Sequence, residues 1–472
     1  MEPKVFALRL LAVLAAATLS GATLEEDSAS VSGSCPGECS LHPAMRARIS
    51  KDVEWLDKWG GITDAMIRNI SLVCDAQTSN ECNVKAMRIM IKDGEVYLNS
   101  LHPEWRLGPY ELIGFLLELY ETSKVYRLPD LEFAYNGDDN AVTPAFDWQD
   151  PVEYKNPTFH GGPFPIVAWS KTSKSFALTV PYSGAFRCGE DSWDRILHMM
   201  DEVSRIPWSE RKQVALGRWN LFCSWRYVVG MPPLKNGEPF ICPRKHLPTL
   251  TEAHKDLLDV GVINDQRGGP EIKPVPLMHQ NAYRYLVSTD GWAISSKFDK
   301  YLLLGSTVIK AASNRFGFYY DALRPGEHYL ECMRDNRTDL VEAILWARSH
   351  DDEAARIAAN AQRFAARHLN RPARLCYYRT LIQELGKRMK YTPSCANRKM
   401  CIPLGRFLQF LTTFPKSRKK CRYAEVLLPY GVNHSLPYTS DADLELLLKV
   451  EKLWPRDTDI PPLDNEPYFA RG

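Results

Sequence analysis

Tyr283-Arg-Tyr-Leu-Val-Ser-Thr-Asp-Gly-Trp-Ala-Ile-Ser-Ser-Lys-Phe-Asp-Lys-Tyr-Leu-Leu-Leu-Gly-Ser306 is the stretch whose reading decides the fold. Tyr283 to Ser288 is aromatic and β-branched and reads as a strand that breaks at Asp290-Gly291. Ser295 to Leu304 then reads as a helix, and Thr307-Val-Ile309 as a short strand. Strand, helix and strand in that order predict a parallel sheet. A helix start offers unpaired N–H groups and a positive dipole end. Ser295 and Ser296 are small enough to admit a phosphate, and Lys297 adds a full charge. The pattern fits a diphosphate site at the carboxyl end of a parallel strand. On spacing alone, a plain strand–turn–helix with a capping serine is the better fit.

Outward from this unit the alternation continues. Between Cys39 and Lys124 the pattern is helical, with Leu112, Leu116, Leu117 and Tyr120 on one face. Leu131 to Tyr135 reads as a strand running into the turn formers Asn136-Gly-Asp-Asp-Asn140, and Pro165 to Trp169 as another. Lys235 to Pro276, rich in Pro, Gly and charge, is the expected crossover between domains. Asp339 and Glu342 have capping-box spacing before Leu340 to Leu345. Ile357, Ala361, Phe364 and Ala365 share a helical face. Lys390 to Gly472 differs in character, with Cys395, Cys401, Cys421 and a basic patch at Lys416 to Lys420 that reads as a solvated face.

The chain has 472 residues, 45% of them hydrophobic, enough for two domains with cores. A net charge of +2 gives no argument for nucleic acid as a partner. Lys4 and Arg9, the apolar run Leu10 to Leu19, and the small residues Ser20, Gly21 and Ala22 read as a secretory leader. The run is short of the roughly 20 residues that span a bilayer, so no membrane span is expected once the leader is removed; an uncleaved Golgi-type anchor is the alternative. Twelve cysteines suggest disulfides in an oxidising compartment. Sequons at Asn69, Asn336 and Asn433 agree with secretory entry.

There is no dinucleotide fingerprint, P-loop, zincin motif or nucleophile elbow. Asp441-Ala-Asp443 and Asp457-Thr-Asp459 are the only Asp-x-Asp pairs of the kind that hold metal against a diphosphate, and neither follows an apolar strand. The expectation is a site with no metal and no cofactor.

The stretch from Tyr283 resembles the donor-binding motif of the Rumi-type protein O-glucosyltransferases, which share a domain with fungal capsule-associated xylosyltransferases. The resemblance continues through Tyr301 to Lys310, Phe318-Tyr-Tyr320, Leu323-Arg-Pro325, His328-Tyr329, Asn360-Ala, Phe364 and Cys376-Tyr-Tyr378. It covers about Leu131 to Lys390.

The resemblance implies an α/β fold of GT-B type: two facing Rossmann-like domains with a C-terminal disulfide-tied extension. The expected divisions are a signal peptide at 1–22, an N-terminal acceptor and base domain at 23–230, a donor domain at 231–390 and a Cys-containing extension at 391–472. It implies transfer of glucose or xylose from a UDP-sugar to a protein or glycan hydroxyl, with inversion and without metal. Partners would be that donor and acceptor, in the endoplasmic reticulum, Golgi or beyond the cell. By the family's Asn-x-x-Asp pattern, Asp139 is the expected general base, with Asp138 its neighbour. Arg218, Gly291, Ser295, Ser296, Lys297, Ser170, Lys171 and Gly189 are the expected donor-binding residues. Two positions depart from the pattern: Trp219 stands for a glycine, and Lys297 for an arginine. A catalytically inactive relative that binds sugar or protein is the alternative these departures raise.

Overall fold

The computed structural model describes residues 39–68, 86–100, 110–137, 164–172, 175–182, 193–223, 228, 231–263, 272–398 and 400–413. The expected leader, Asp138, Asp139, Gly189, the sequons at Asn69 and Asn433, both Asp-x-Asp pairs and the Lys416 patch lie outside them. The described residues belong to one compact unit.

That unit is a mixed α/β structure. Its strands are β1 (Ala86–Lys92), β2 (Glu95–Leu98), β3 (Leu131–Asn136), β4 (Ile166–Ala168), β5 (Lys171–Thr172), β6 (Leu178–Thr179), β7 (Lys212–Trp219), β8 (Leu258–Val262), β9 (Tyr283–Ser288), β10 (Thr307–Ala311), β11 (Arg315–Phe316), β12 (Leu330–Cys332) and β13 (Ile402–Pro403). The first sheet has the order β13-β2-β1-β3-β4-β6, the second β12-β10-β9-β7-β8, and β5 pairs with β11 between them. The second sheet is parallel throughout. Strand β10 and nearly all of β9 are buried, as in a sheet covered on both sides, though they carry the buried polar residues Arg284, Thr307 and Lys310.

The segment read as helical up to Lys124 contains the β1–β2 hairpin. Its turn is Asp93-Gly94, both at positive φ (53° and 83°), the two-residue turn that matches strand twist. Strand β7, which precedes the expected division at 230/231, pairs in parallel with β8 and β9 in the second sheet.

The helices needed here are α1 (Pro43–Lys58), α2 (Tyr110–Val125), α3 (Pro243–Leu250), α4 (Phe298–Tyr301), α5 (Asp339–Ser349), α6 (Asp351–His368), α7 (Arg371–Gly386) and α8 (Leu404–Thr413). Helix α7 returns to pack on α1 and α2. Cys39–Cys376 and the Arg374–Glu118 ion pair, 2.5 Å and buried, fasten it there. The start of the expected extension continues the return: β13 adds an edge strand to the first sheet beside β2. Cys395–Cys401 closes a local loop just before it.

The expected capping box at α5 does not form. Asp339 accepts the backbone N–H groups of Met333, Arg334 and Asp335 (2.6–2.9 Å), fixing the turn before the helix. In α6 the apolar residues fall at the expected spacing, with Ile357, Ala361, Phe364 and Ala365 all buried.

Candidate functional site

Strand β9 ends at Ser288, and the chain turns through Thr289 to Lys297 at the carboxyl end of the parallel sheet. The turn is built around Asp290, which is fully buried. One carboxylate oxygen accepts the Ser295 N–H at 2.8 Å and the Tyr320 hydroxyl at 3.2 Å. The other faces the Lys310 ammonium at 2.8 Å. A buried carboxylate is tolerable only when its lone pairs are met in this way.

The helix expected from Ser295 is a single turn, α4, that starts at Phe298 with Lys297 as its cap residue. The helix-dipole cradle is therefore not what shapes the site. The loop is held instead by Asp290, and Lys297 donates from Nζ to the Arg218 carbonyl at 2.9 Å.

A cleft of about 320 Å3 opens over this loop. It brings together five of the expected residues: Arg218, Gly291, Ser295, Ser296 and Lys297. The first sheet supplies the opposite wall through Trp169, which follows β4, and Tyr182. Ser170 lies buried beneath, its hydroxyl accepting the Ile294 N–H at 3.3 Å. It joins the two walls without lining the cleft.

Lys171 does not line the cleft. Its ammonium is buried against Asp52 of α1 at 2.8 Å, and Asp52 also accepts from the Thr179 N–H (2.8 Å) and hydroxyl (2.6 Å). Desolvation pulls the Lys171 pKa down, and the Asp52 carboxylate opposes the fall. Its charge is met inside the fold by Asp52, and Lys171 is absent from the cleft wall.

Arg218 reaches the cleft with little of its fork to spare. Its guanidinium donates to the carbonyls of Lys273 (3.3 Å), Gly217 (3.0 Å) and Asp259 (2.6 Å) and to the Asp259 carboxylate (2.5 Å). A guanidinium has five N–H groups, so the expected bidentate grip on a diphosphate is not what this geometry offers. Arg218 supplies fixed positive charge. Trp219, at the position where a glycine was expected, lays its ring over Gly217: a Cβ there would sit 2.6 Å from Trp219 Cζ3.

Arg244, on α3, was missed by the sequence reading, and it lines the same cleft. It bonds the Thr289 hydroxyl (3.2 Å) and carbonyl (3.1 Å) and the Asn220 carbonyl (3.2 Å). Gly291 is required by this closeness, because a Cβ would come within 2.7 Å of both the Arg244 guanidinium and the Phe222 carbonyl. Cys223–Cys242 ties the segments carrying Phe222 and Arg244 together. No local motif marks Arg244, which lies in the Pro- and charge-rich middle of the chain.

Strand β3 pairs in parallel with β4, matching Asn136 to Ala168, one residue before Trp169. The strand preceding Asp139 thus ends beside the cleft wall. Among the described residues, no group of three or more His, Cys, Asp or Glu side chains is arranged to hold a metal ion.

Fold and cleft together give an α/β protein with a cleft lined by Arg218, Arg244 and Lys297 at the carboxyl ends of parallel strands. Comparison then gives the family. Residues 43–405 match the model of glycosyl transferase family 90, and the chain belongs to that family. Protein O-glucosyltransferase 2 of Danio rerio is 28% identical over 306 residues, 63% of this chain and 54% of that protein. Protein O-glucosyltransferase 3 of Homo sapiens is 29% identical over 321 residues, 66% of this chain and 57% of that protein. Protein O-glucosyltransferase 1 of Rattus norvegicus is 25% identical over 289 residues, 59% and 66% of the two chains. The chain thus spans between about half and two thirds of the length of these curated relatives. HepE of Anabaena, solved in complex with UDP, aligns over 37% of this chain and 51% of its own at 12% identity, with a TM-score of 0.23, a likeness too slight to bear on the fold.

Proposed function

We propose that this chain is a metal-independent, inverting glycosyltransferase of GT-B type. It moves glucose or xylose from a UDP-sugar to a hydroxyl of a protein or glycan acceptor in the lumen of the secretory pathway. The observation that carries the reading is the cleft itself, where Arg218, Arg244, Lys297 and the Ser295-Ser296 segment face one ligand space. Family membership and the named relatives support the sugar-transfer class. Three disulfides among the described residues support an oxidising compartment. Among those residues no helix is long and apolar enough to cross a membrane.

In this mechanism Asp139 takes the proton of the acceptor hydroxyl, since a neutral hydroxyl is a poor nucleophile. The oxygen attacks the anomeric carbon from the face opposite the diphosphate. The carbon–oxygen bond to UDP breaks, and negative charge grows on the departing phosphate. Fixed cations that need no reorganisation stabilise that charge most effectively, which is the role of Arg218, Arg244 and Lys297. Four N–H groups of Arg218 already have partners, and this favours one rival: a relative that binds a nucleotide sugar without turning it over. A panel of UDP-sugars assayed for UDP release, with and without chelator, tests both. Release from UDP-glucose or UDP-xylose that survives chelation is expected. Nucleotide binding without release from any donor, across acceptor peptides and glycans, establishes the rival.

A further inference from the structure

A second cleft, of about 370 Å3, lies where α1 begins, where the 320–328 segment turns, and along the last turns of α6. Three histidines from these three elements meet around Phe364. His42 lies 4.9 Å from His368 between ring centroids, and His328 lies 5.3 Å from Phe364. The Ala44 N–H donates to His42 Nδ1 at 3.2 Å, and the Arg324 N–H to His328 Nδ1 at 3.1 Å. An Nδ1 that accepts leaves the proton of a neutral ring on Nε2, so both rings are N–H donors there. Burial, aided by the neighbouring arginines, holds all three histidines below their ordinary range.

Arg324, Arg363 and Arg367 line the same cleft. Its two carboxylates are already met: Asp321 by Arg48, and Glu327 by Arg324 at 3.4 Å, with His328 Nε2 3.9 Å from Glu327. Arg363 donates to the Asn360 amide oxygen at 2.5 Å, and Arg367 has no ion-pair partner among the described residues. Basic side chains favour the carboxyl end of a helix, which accounts for Arg367 and His368. It does not account for Arg324, His328 or His42, which come from elsewhere. The first turn of α1 carries no acidic residue, so its positive end is also uncompensated at the cleft.

We propose that this cleft binds an oxyanion, a phosphate or sulfate group on a sugar-sized ligand, at a site separate from the donor cleft. The arginines supply charge and forked donors, and the neutral histidines add N–H donors without repelling the arginines. The proposal does not rest on the transferase reading, because it concerns different side chains.

Calorimetric titration of the full chain with inorganic phosphate, with a sulfated disaccharide and with UDP tests it. The variant is Arg363→Gln/Arg367→Gln; both side chains are exposed, and an unchanged Tm confirms folding. Binding of phosphate or of the disaccharide should weaken by about tenfold or more, the scale of one lost charge-assisted hydrogen bond, with UDP binding unchanged. Tighter binding of phosphate assigns the site to phosphorylated ligands, and tighter binding of the disaccharide to sulfated glycans. Failure of both probes to bind the natural chain, or equal binding by the variant, overturns the proposal.

Discussion

Asp290 and Lys310 form a buried ion pair, 2.8 Å between carboxylate and ammonium, that fixes the loop over which the cleft lined by Arg218, Arg244 and Lys297 opens. Neither side chain lines that cleft. Lys310 also lies over the rings of Phe298 (5.3 Å) and Tyr320 (5.0 Å), so its charge is compensated from three sides. Lys310→Met strands the Asp290 charge, and stability should fall by about 3–5 kcal/mol. Urea unfolding measures this. Asp290→Asn combined with Lys310→Met should recover much of the loss, because no buried charge is then left unpaired. A Lys310→Met variant as stable as the natural chain would show that the pair is dispensable.

The proposed role of Asp139 as general base separates chemistry from binding. Asp139→Asn should lower kcat by ~100- to 10,000-fold, the usual range for removing a positioned base. The UDP dissociation constant should stay the same. Asp138→Asn should change kcat far less. Initial rates of UDP release and direct UDP titration distinguish these outcomes, and near-normal transfer by the Asp139 variant removes that residue from the mechanism.

Two basic residues, one foreseen and one not, should behave in opposite ways. Arg244→Gln should weaken UDP binding by about tenfold, as expected for one charged contact to a phosphate. Lys171→Met should leave the UDP affinity of the folded protein unchanged while lowering its Tm, since Lys171 is spent on Asp52. Thermal unfolding beside UDP titration of each variant reads both effects. If Lys171→Met loses UDP binding at full stability, the ion pair is not its role.

The histidine cluster sets an acid limit. His368 is drawn down from 6.5 to about 4, first by burial and then by His42 and Arg367. Between those two values the unfolded chain binds the proton and the folded one does not. Stability should therefore rise with pH across the window and be lost as pH falls from about 6.5 towards 4. His42 and His328, also lowered, add in the same direction. Tm measured against pH should show this slope, and His368→Gln should flatten it. A Tm that rises on acidification contradicts the assignment.

Legibility in the sequence followed the range of the interactions. The Tyr283–Ser288 strand, the Leu131 strand and the buried face of α6 were readable because strand and helix periodicity are local properties of a few neighbouring side chains. The β1–β2 hairpin was readable too, from Asp93-Gly94 between apolar runs, yet the helical pattern around it was allowed to prevail. Family membership was legible in the motif run from Tyr283, because close backbone approach and cationic side chains at fixed spacing leave a linear trace. The amino-acid order by itself thus determined the α/β class, several of its elements and the chemical character of the Thr289–Lys297 loop. Tertiary structure alone decided which charges face the cleft. Lys171 and Lys297 are alike in composition, but one is buried against Asp52 and the other lines the ligand space. Arg244 enters across a disulfide, and α7 crosses back to the first sheet. Those outcomes depend on contacts between residues far apart in the chain, and on which buried charge finds a partner. Local spacing carries no record of either.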